Sequence, residues 1–226
     1  MVNYEFVRED IITIDGPTSS GKNSVGFLLA QKLGYQYIDS GMLYRAGSFK
    51  IIQKSIPLTD KEKILEIFQN LNIRFETVGN KWKMFLDDSD VTNTLHASQI
   101  SKVTSILAAM PEVRLIVKNI QHQLTQDGQA VVGGRDIGSE IFPDARHKFF
   151  LTASTEVRAK RRFKQLVEKD PSIKYEDVLK DMLDRDKRDA EREASPMRIP
   201  EGAKIIDNSK LSIEQTVGEM LDYIKN

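Results

Sequence analysis

The chain has 226 residues, 40% of them hydrophobic and 29% charged, the proportions of a single well-cored globular domain. Its 33 Lys and Arg balance 33 Asp and Glu, so no net basic field draws nucleic acid or an anionic membrane. With no cysteine it can form neither disulfides nor thiolate metal sites, which suits a reducing cytoplasm.

In chain order, Met1 to Asp10 carries Glu5, Glu9 and Asp10 and lacks an apolar core of signal-peptide length. No apolar run approaches the roughly 20 residues needed to span a bilayer, and the expectation is a cytoplasmic protein. Ile11 to Ile14 is a short β-branched run ending in Asp15-Gly16, which predicts a buried strand. Ser24 to Leu33 has helical apolar spacing at Val25, Leu28 and Leu29, with Gly34 at the C-terminal cap. Tyr35 to Ile38 predicts a second strand, and Asp39-Ser40-Gly41 caps a helix through Met42 to Gln53. Strand, helix, strand at this pace implies parallel pairing through right-handed crossovers.

From Asn72 to Leu86 the period changes to two. Ile73, Phe75 and Thr77 alternate with polar residues, Gly79-Asn80 turns the chain, and Trp82, Met84 and Leu86 alternate again. That is a β-hairpin inserted into the α/β order, with Trp82 expected to pack across strands. Ser98 to Gln126 reads as helical with a break or new first turn at Pro111. Ala130 to Val132, Lys148 to Leu151 and Ile205-Ile206 predict further short strands. Thr155 to Lys169 and Tyr175 to Glu193 predict long charged helices, and Ser212 to Ile224 an amphipathic closing helix. The histidines form no cluster, and His122 and His147 are expected to be surface or packing residues.

Gly16-Pro17-Thr18-Ser19-Ser20-Gly21-Lys22 has the spacing G-x-x-x-x-G-K between the first strand and the first helix. Backbone N–H groups of such a loop converge on phosphate oxygens, the helix N-terminus favours anions, and Lys22 would bridge the outer phosphates. Asn23 follows the lysine where Ser or Thr is general, so Ser24 is the candidate hydroxyl beside Mg²⁺.

Three further constellations stand out. Asp39-Ser40-Gly41-Met42-Leu43-Tyr44-Arg45 follows the second strand, and Gly134-Arg135-Asp136-Ile137-Gly138 follows the third, at the carboxyl end where open parallel sheets bind ligands. Arg185, Arg188, Asp189 and Arg192 recur at i, i+3, i+4 and i+7, so one helix face is expected to present them together. Arg158, Arg161 and Arg162 repeat the theme on the preceding helix, where a solvated charged face is an equal alternative.

The stretches IDGPTSSGKNS, YIDSGMLYRAG, SILAAMPEVR, GRDIGSEIFPDARHKFFLTAS, RDKRDAER and IIDNSKLSIEQ, in this order, resemble the cytidylate kinase family along nearly the whole chain. The resemblance implies an α/β fold: a P-loop three-layer α/β/α domain with a five-stranded parallel central sheet, an inserted small antiparallel β-hairpin subdomain and a helical Arg-rich lid. It implies one kinase domain over 1–226, with core 10–66, 103–157 and 194–226, acceptor-binding insertion about 67–102, and lid about 158–193. The implied activity is transfer of the ATP γ-phosphoryl group to CMP or dCMP with Mg²⁺, by a monomer.

By the same resemblance, Gly16 through Ser24 and Arg161 hold ATP, while Ser40 and Arg45 contact the acceptor nucleotide. Ser105, Arg114 and Asp136 read the cytosine edge, and Asp189 with Arg192 engages the ribose and phosphate region. Lys22, Arg135, Asp136 and Arg185 are the catalytic set, with Arg135 and Arg185 holding phosphates. Three positions depart from the family: Gly133 stands where it usually carries Asp or Glu, Asn23 replaces a smaller residue, and His96 replaces an arginine. Met197 and Arg198 also alter the segment after Pro196. Gly133 and Asn23 leave open a degenerate relative that binds nucleotide with weak or no catalysis, and a kinase of another nucleoside monophosphate is the other alternative.

Overall fold

The structure is a computed structural model that describes residues 10–168 and 170–225. The acidic stretch with Glu5 and Glu9, and Lys169 at the expected end of a helix, lie outside the described residues. Five parallel strands form the central sheet: β1 (Ile11–Asp15), β2 (Gln36–Asp39), β6 (Ala130–Gly133), β7 (His147–Thr152) and β8 (Lys204–Asp207). Their order is β2-β6-β1-β7-β8, with Ile12 opposite Val131 on one side and His147 on the other. The two strands that carry the ligand loops, β1 and β6, are therefore neighbours.

Strand alternation sorts the apolar side chains onto two faces. Ile11, Ala130 and Val132 face α2 (Ser40–Gln53) and α5 (Pro111–Leu124), whereas Ile12, Ile14 and Val131 face α1 (Lys22–Leu33) and α8 (Ile213–Lys225). A sheet covered on both faces needs nearly continuous apolar strands, as the Ile-Ile-Thr-Ile and Ala-Val-Val runs supply. Pro111 opens α5 at its first turn, where the missing N–H costs nothing, and α4 (Ser98–Leu107) ends before it. Gly16 has φ 146 and sits against β7. A β-carbon there would lie 2.0 Å from the Leu151 carbonyl oxygen, so only glycine lets β1 turn into the phosphate loop.

β3 (Ile73–Val78) and β4 (Lys81–Leu86) form the inserted antiparallel pair with Phe75 opposite Met84. A third strand, β5 (Ser89–Asp90), extends the hairpin to three strands. Both its residues are exposed, so it carries no apolar signal. The small sheet is anchored to edge strand β2. Trp82 donates its indole N–H to the Tyr37 carbonyl at 2.9 Å and stacks on Phe75 with centroids 5.4 Å apart. Trp82 is thus the packing residue its position suggests. His122 packs on Phe142 and His147 near Tyr223.

A helix that sequence reading passes over, α3 (Lys61–Gln69), buries Ile64, Ile67 and Phe68 and is capped by Asp60, which accepts the Lys63 N–H. The long charged helices are α6 (Thr155–Val167) and α7 (Tyr175–Glu191), the latter two residues shorter than expected. Among the described residues no helix is long and apolar enough to cross a membrane.

Candidate active site

The phosphate loop carries Lys22 at its end, and the lysine is folded back into it. Its ammonium donates to the carbonyls of Gly16 and Pro17, each at 2.7 Å, and to Ser20 Oγ at 3.3 Å. Burial, then the neighbouring Arg135 guanidinium, pushes its pKa well below the usual lysine range, while Asp15 and Asp39 oppose that. The loop is tied from outside as well. Thr18 donates its backbone N–H to Asp186 of α7 at 2.9 Å, and Arg158 of α6 pairs with the same carboxylate and donates to the Thr18 carbonyl at 3.0 Å.

Arg158 is buried, which overturns the reading of it as part of a solvated face. Arg161 is committed too: its guanidinium donates to Asn208 Oδ1 and to the Asn208 carbonyl, both at 3.0 Å. Asn208 in turn donates to the Ser20 carbonyl at 2.9 Å, and Arg161 itself donates to that carbonyl at 3.4 Å, so Arg161 meets the phosphate loop both directly and through the β8 end.

Arg135 lies at the centre of the site. It donates to Asp189 at 2.9 Å and to Thr18 Oγ1 at 3.0 Å. Arg185 stands beside it, and burial followed by repulsion from Arg135 depresses the Arg185 pKa to about 10, against the pull of Asp189. Arg45 and Arg162 add to that repulsion. Burial works against ionisation of Asp189, yet Arg135 and Arg185 together hold its carboxyl below the usual range. Desolvated guanidiniums that repel one another are poorly compensated, and an anion between them relieves the repulsion.

A second network lies beyond Asp136. One carboxylate oxygen takes Arg114 and the other takes Arg192, the latter at 3.0 Å. Ser195 serves both arginines, accepting from Arg114 at 3.2 Å through its hydroxyl and from Arg192 at 2.6 Å through its carbonyl. Arg114 and Asp136 are buried, so both charges are satisfied by fixed partners rather than by water. Tyr44 closes one side, with the Arg114 guanidinium 5.8 Å from its ring centroid.

The arginine face expected on α7 divides. Arg185 points into the site, Arg192 lies just past the helix end, and Arg188 turns away to donate to Ser105 Oγ and the Asp184 carbonyl. Ser105 is therefore joined to an exposed arginine instead of to the Asp136 network. Arg45 is buried and held by the Leu95 carbonyl at 2.8 Å and Ser101 Oγ at 3.0 Å. Ser40 is buried at the start of α2. Ser24 is exposed on the first turn of α1, and beside it Asn23 donates to the Asp39 carboxylate. Among the described residues no three His, Asp or Glu converge as metal ligands.

Residues 12–226 match the cytidylate kinase family. The chain is 41% identical over 214 residues to a cytidylate kinase of Caldanaerobacter subterraneus, covering 95% of this chain and 94% of that one. The chain belongs to the cytidylate kinase family. A cytidylate kinase of Bacillus subtilis is 39% identical over 95% of this chain and 96% of its own. Among solved structures, an uncharacterized protein from Eubacterium ventriosum superposes with a TM-score of 0.52 at 15% identity, covering 96% of this chain and 98% of that one. That likeness speaks for the fold alone.

Within the family frame, sequence reading gave Lys22, Arg135, Asp136, Arg185, Asp189, Arg114 and Arg192 roles in nucleotide binding and transfer, and the structure brings these side chains together. It missed Asp186, Ser195 and Asn208, and it grouped Arg162 with Arg158 and Arg161 without giving it a role in the site. Asp186 lies inside the quoted RDKRDAER and Asn208 inside IIDNSK, but nothing in either segment shows what the side chain meets.

Proposed function

We propose that the protein transfers the γ-phosphoryl group of ATP to CMP or dCMP, giving ADP and CDP or dCDP. The observation that carries this reading is the mutually repelling group of buried Arg45 and half-buried Arg135, Arg162 and Arg185 beside the phosphate loop, with Asp189 among them. Transferring a phosphoryl group needs little covalent help from protein. It needs two anionic substrates in line and positive charge on the oxygens between them. An oxygen of the acceptor phosphate attacks the γ-phosphorus, the bond to the β–γ bridging oxygen breaks, and ADP leaves with that electron pair. Lys22 would exchange its loop carbonyls for the outer phosphates, while Arg135 and Arg185 hold the oxygens of the transferred group.

The Arg114–Asp136–Arg192 network supports cytosine as the acceptor base. Cytosine presents acceptors at O2 and N3 and a donor amine at C4, matching guanidinium donors and a carboxylate acceptor. Uracil reverses the polarity at two positions and would leave buried groups unpaired. Ser40 and Arg45 lie on the acceptor side, with Ser105 at its edge.

Magnesium takes hard oxygen donors and draws most of them from substrate phosphates. The exposed Ser24 hydroxyl and the Asp39 carboxylate are such donors at the carboxyl end of the sheet, so the residues fit it. When bound, magnesium would neutralise phosphate charge there. Residues 158–193 act as the lid over the phosphates and about 67–102 as the acceptor-side insertion, in a cytoplasmic monomer.

Coupled ADP release with ATP and magnesium, offering CMP, dCMP, UMP and AMP separately, tests the reading. Strong turnover of CMP or dCMP with little of UMP or AMP is expected. ATP binding without transfer to any acceptor would sink it and leave a degenerate nucleotide-binding relative.

A further inference from the structure

Asp15 ends β1 with Gly16 next in the chain, and its side chain is fully buried. Its Oδ1 accepts the Ile137 N–H at 2.8 Å and its Oδ2 accepts the Gly138 N–H at 2.7 Å. Those two N–H groups open the π-helical turn Ile137–Ile141 directly after Asp136, whose own side chain caps nothing there. Alongside, the Gly134 N–H donates to the Ile14 carbonyl at 3.0 Å. One carboxylate thus joins the residue before the phosphate loop to the residues after the base-reading aspartate.

The arrangement is costly. Burial, with the nearby Asp136 charge adding to it, lifts the Asp15 carboxyl to about 6 against its two N–H bonds and Lys22. Asparagine offers one acceptor oxygen and turns an NH₂ donor toward the other N–H, and an apolar residue strands both. Capping a helical turn at the surface needs one neutral acceptor. A buried anion that directly precedes the phosphate loop and is bonded twice to the segment after Asp136 does more than capping requires. The far side of the linkage is Lys22, whose ammonium sits on the Gly16 carbonyl and must leave it to reach phosphate.

We propose that Asp15 is a positioning residue that couples the donor and acceptor sites. It holds the Arg135–Asp136 loop in register with the phosphate loop, so nucleotide in one site raises affinity in the other. The inference rests on the reading of Asp136 as the base-recognition carboxylate. Linkage makes the coupling reciprocal, and such couplings typically run from about 5-fold to 150-fold in affinity.

Calorimetric titration of the full chain with CMP, with and without a β,γ-imido analogue of ATP and magnesium, measures the coupling. In the wild type, CMP binds at least about 5-fold tighter with the analogue present. Asp15→Asn, shown to be folded by circular dichroism, loses most of that factor, and Asp15→Glu, which keeps two acceptor oxygens, retains part of it. A wild type without coupling, or a folded Asp15→Asn with the wild-type factor, overturns the proposal. Should Asp15→Asn not fold, amide NMR of the wild type decides. The ATP analogue alone shifts the Ile137 and Gly138 amides, and unmoved amides overturn it. Asp136→Asn separates the two readings. Unchanged CMP affinity there faults base recognition itself, whereas weakened CMP binding there with intact coupling in Asp15→Asn faults only the role of Asp15.

Discussion

The carboxylate of Asp186, on helix α7, accepts the backbone N–H of Thr18 in the phosphate loop at 2.9 Å, across 168 residues of sequence. Arg158 completes the contact from α6, and both side chains of the pair are mostly buried. Breaking one partner of a buried pair strands the other charge, at a cost of about 3–5 kcal/mol. Asp186→Ala should therefore lower the melting temperature by roughly 6–12 °C for a cost near the lower end of that range. Replacing both partners by apolar residues should recover much of the loss. Calorimetric melting of the two single variants and of Arg158→Met/Asp186→Leu checks this. Additive losses in the double variant would show that the pair contributes no coupling.

The Asp136 network yields a kinetic expectation. Asp136→Asn puts an NH₂ donor where an acceptor serves Arg114 or Arg192, and removes the charge that both arginines share. The expected result is a loss of roughly 100-fold or more in kcat/KM for CMP. Activity toward UMP should fall less, so discrimination narrows. Steady-state kinetics with both acceptors, beside melting curves, reads the outcome. An unchanged CMP/UMP ratio would remove Asp136 from base recognition.

What the sequence made legible follows from distance along the chain. The phosphate loop is seven contiguous residues between an apolar strand and a helix, so Gly16 to Lys22 could be read directly. The pairing of Arg114 with Asp136 spans 22 residues, and only resemblance to a family pointed to it. The tie from Asp186 to Thr18 has no local signature, because helical spacing says which residues share a face and not what that face meets. Spacing also grouped Arg188 with Arg185, yet Arg188 leans back to Asp184 and Ser105. The α3 helix was legible in principle, since Ile64, Ile67 and Phe68 have i, i+3, i+4 spacing. β5 was not, since two exposed residues carry no pattern.

Tyr37 gives physical content to the departure at Gly133. Its buried hydroxyl has no hydrogen-bond partner among the described residues. A β-carbon on Gly133 would lie 2.8 Å from that oxygen, so any side chain at 133 forces the Tyr37 ring to shift. Burial, with the Asp39 charge, holds the phenol well above its ordinary pKa, so it stays neutral. Removing an unsatisfied buried hydroxyl saves its desolvation cost, and Tyr37→Phe should stabilise the fold by about 1 kcal/mol. Gly133→Asp should destabilise it and be better tolerated with Tyr37→Phe. Urea unfolding of the three variants is the check, and a Tyr37→Phe protein less stable than wild type would contradict the account.

The raised pKa of Asp15 gives a stability slope of unusual sign for a carboxylate. Its folded value of about 6 lies above the ordinary carboxyl value of 3.8, with burial as the chief cause. Between those values the native chain holds a proton that the unfolded chain has released, so stability falls as pH rises through the window. Above about pH 6 the full cost of the buried charge is present, on the order of 3 kcal/mol for a shift of this size. Below the unfolded value that cost is gone. Asp189 works oppositely: its depressed carboxyl stabilises the fold above its unfolded value, and that contribution is lost as pH falls. Urea unfolding from pH 4.5 to 7.5 should show Asp15→Asn with a more positive dependence of stability on pH than the wild type. Parallel pH profiles for the two proteins would mean that Asp15 titrates near its ordinary value and that the buried carboxylate is cheaper than its surroundings imply.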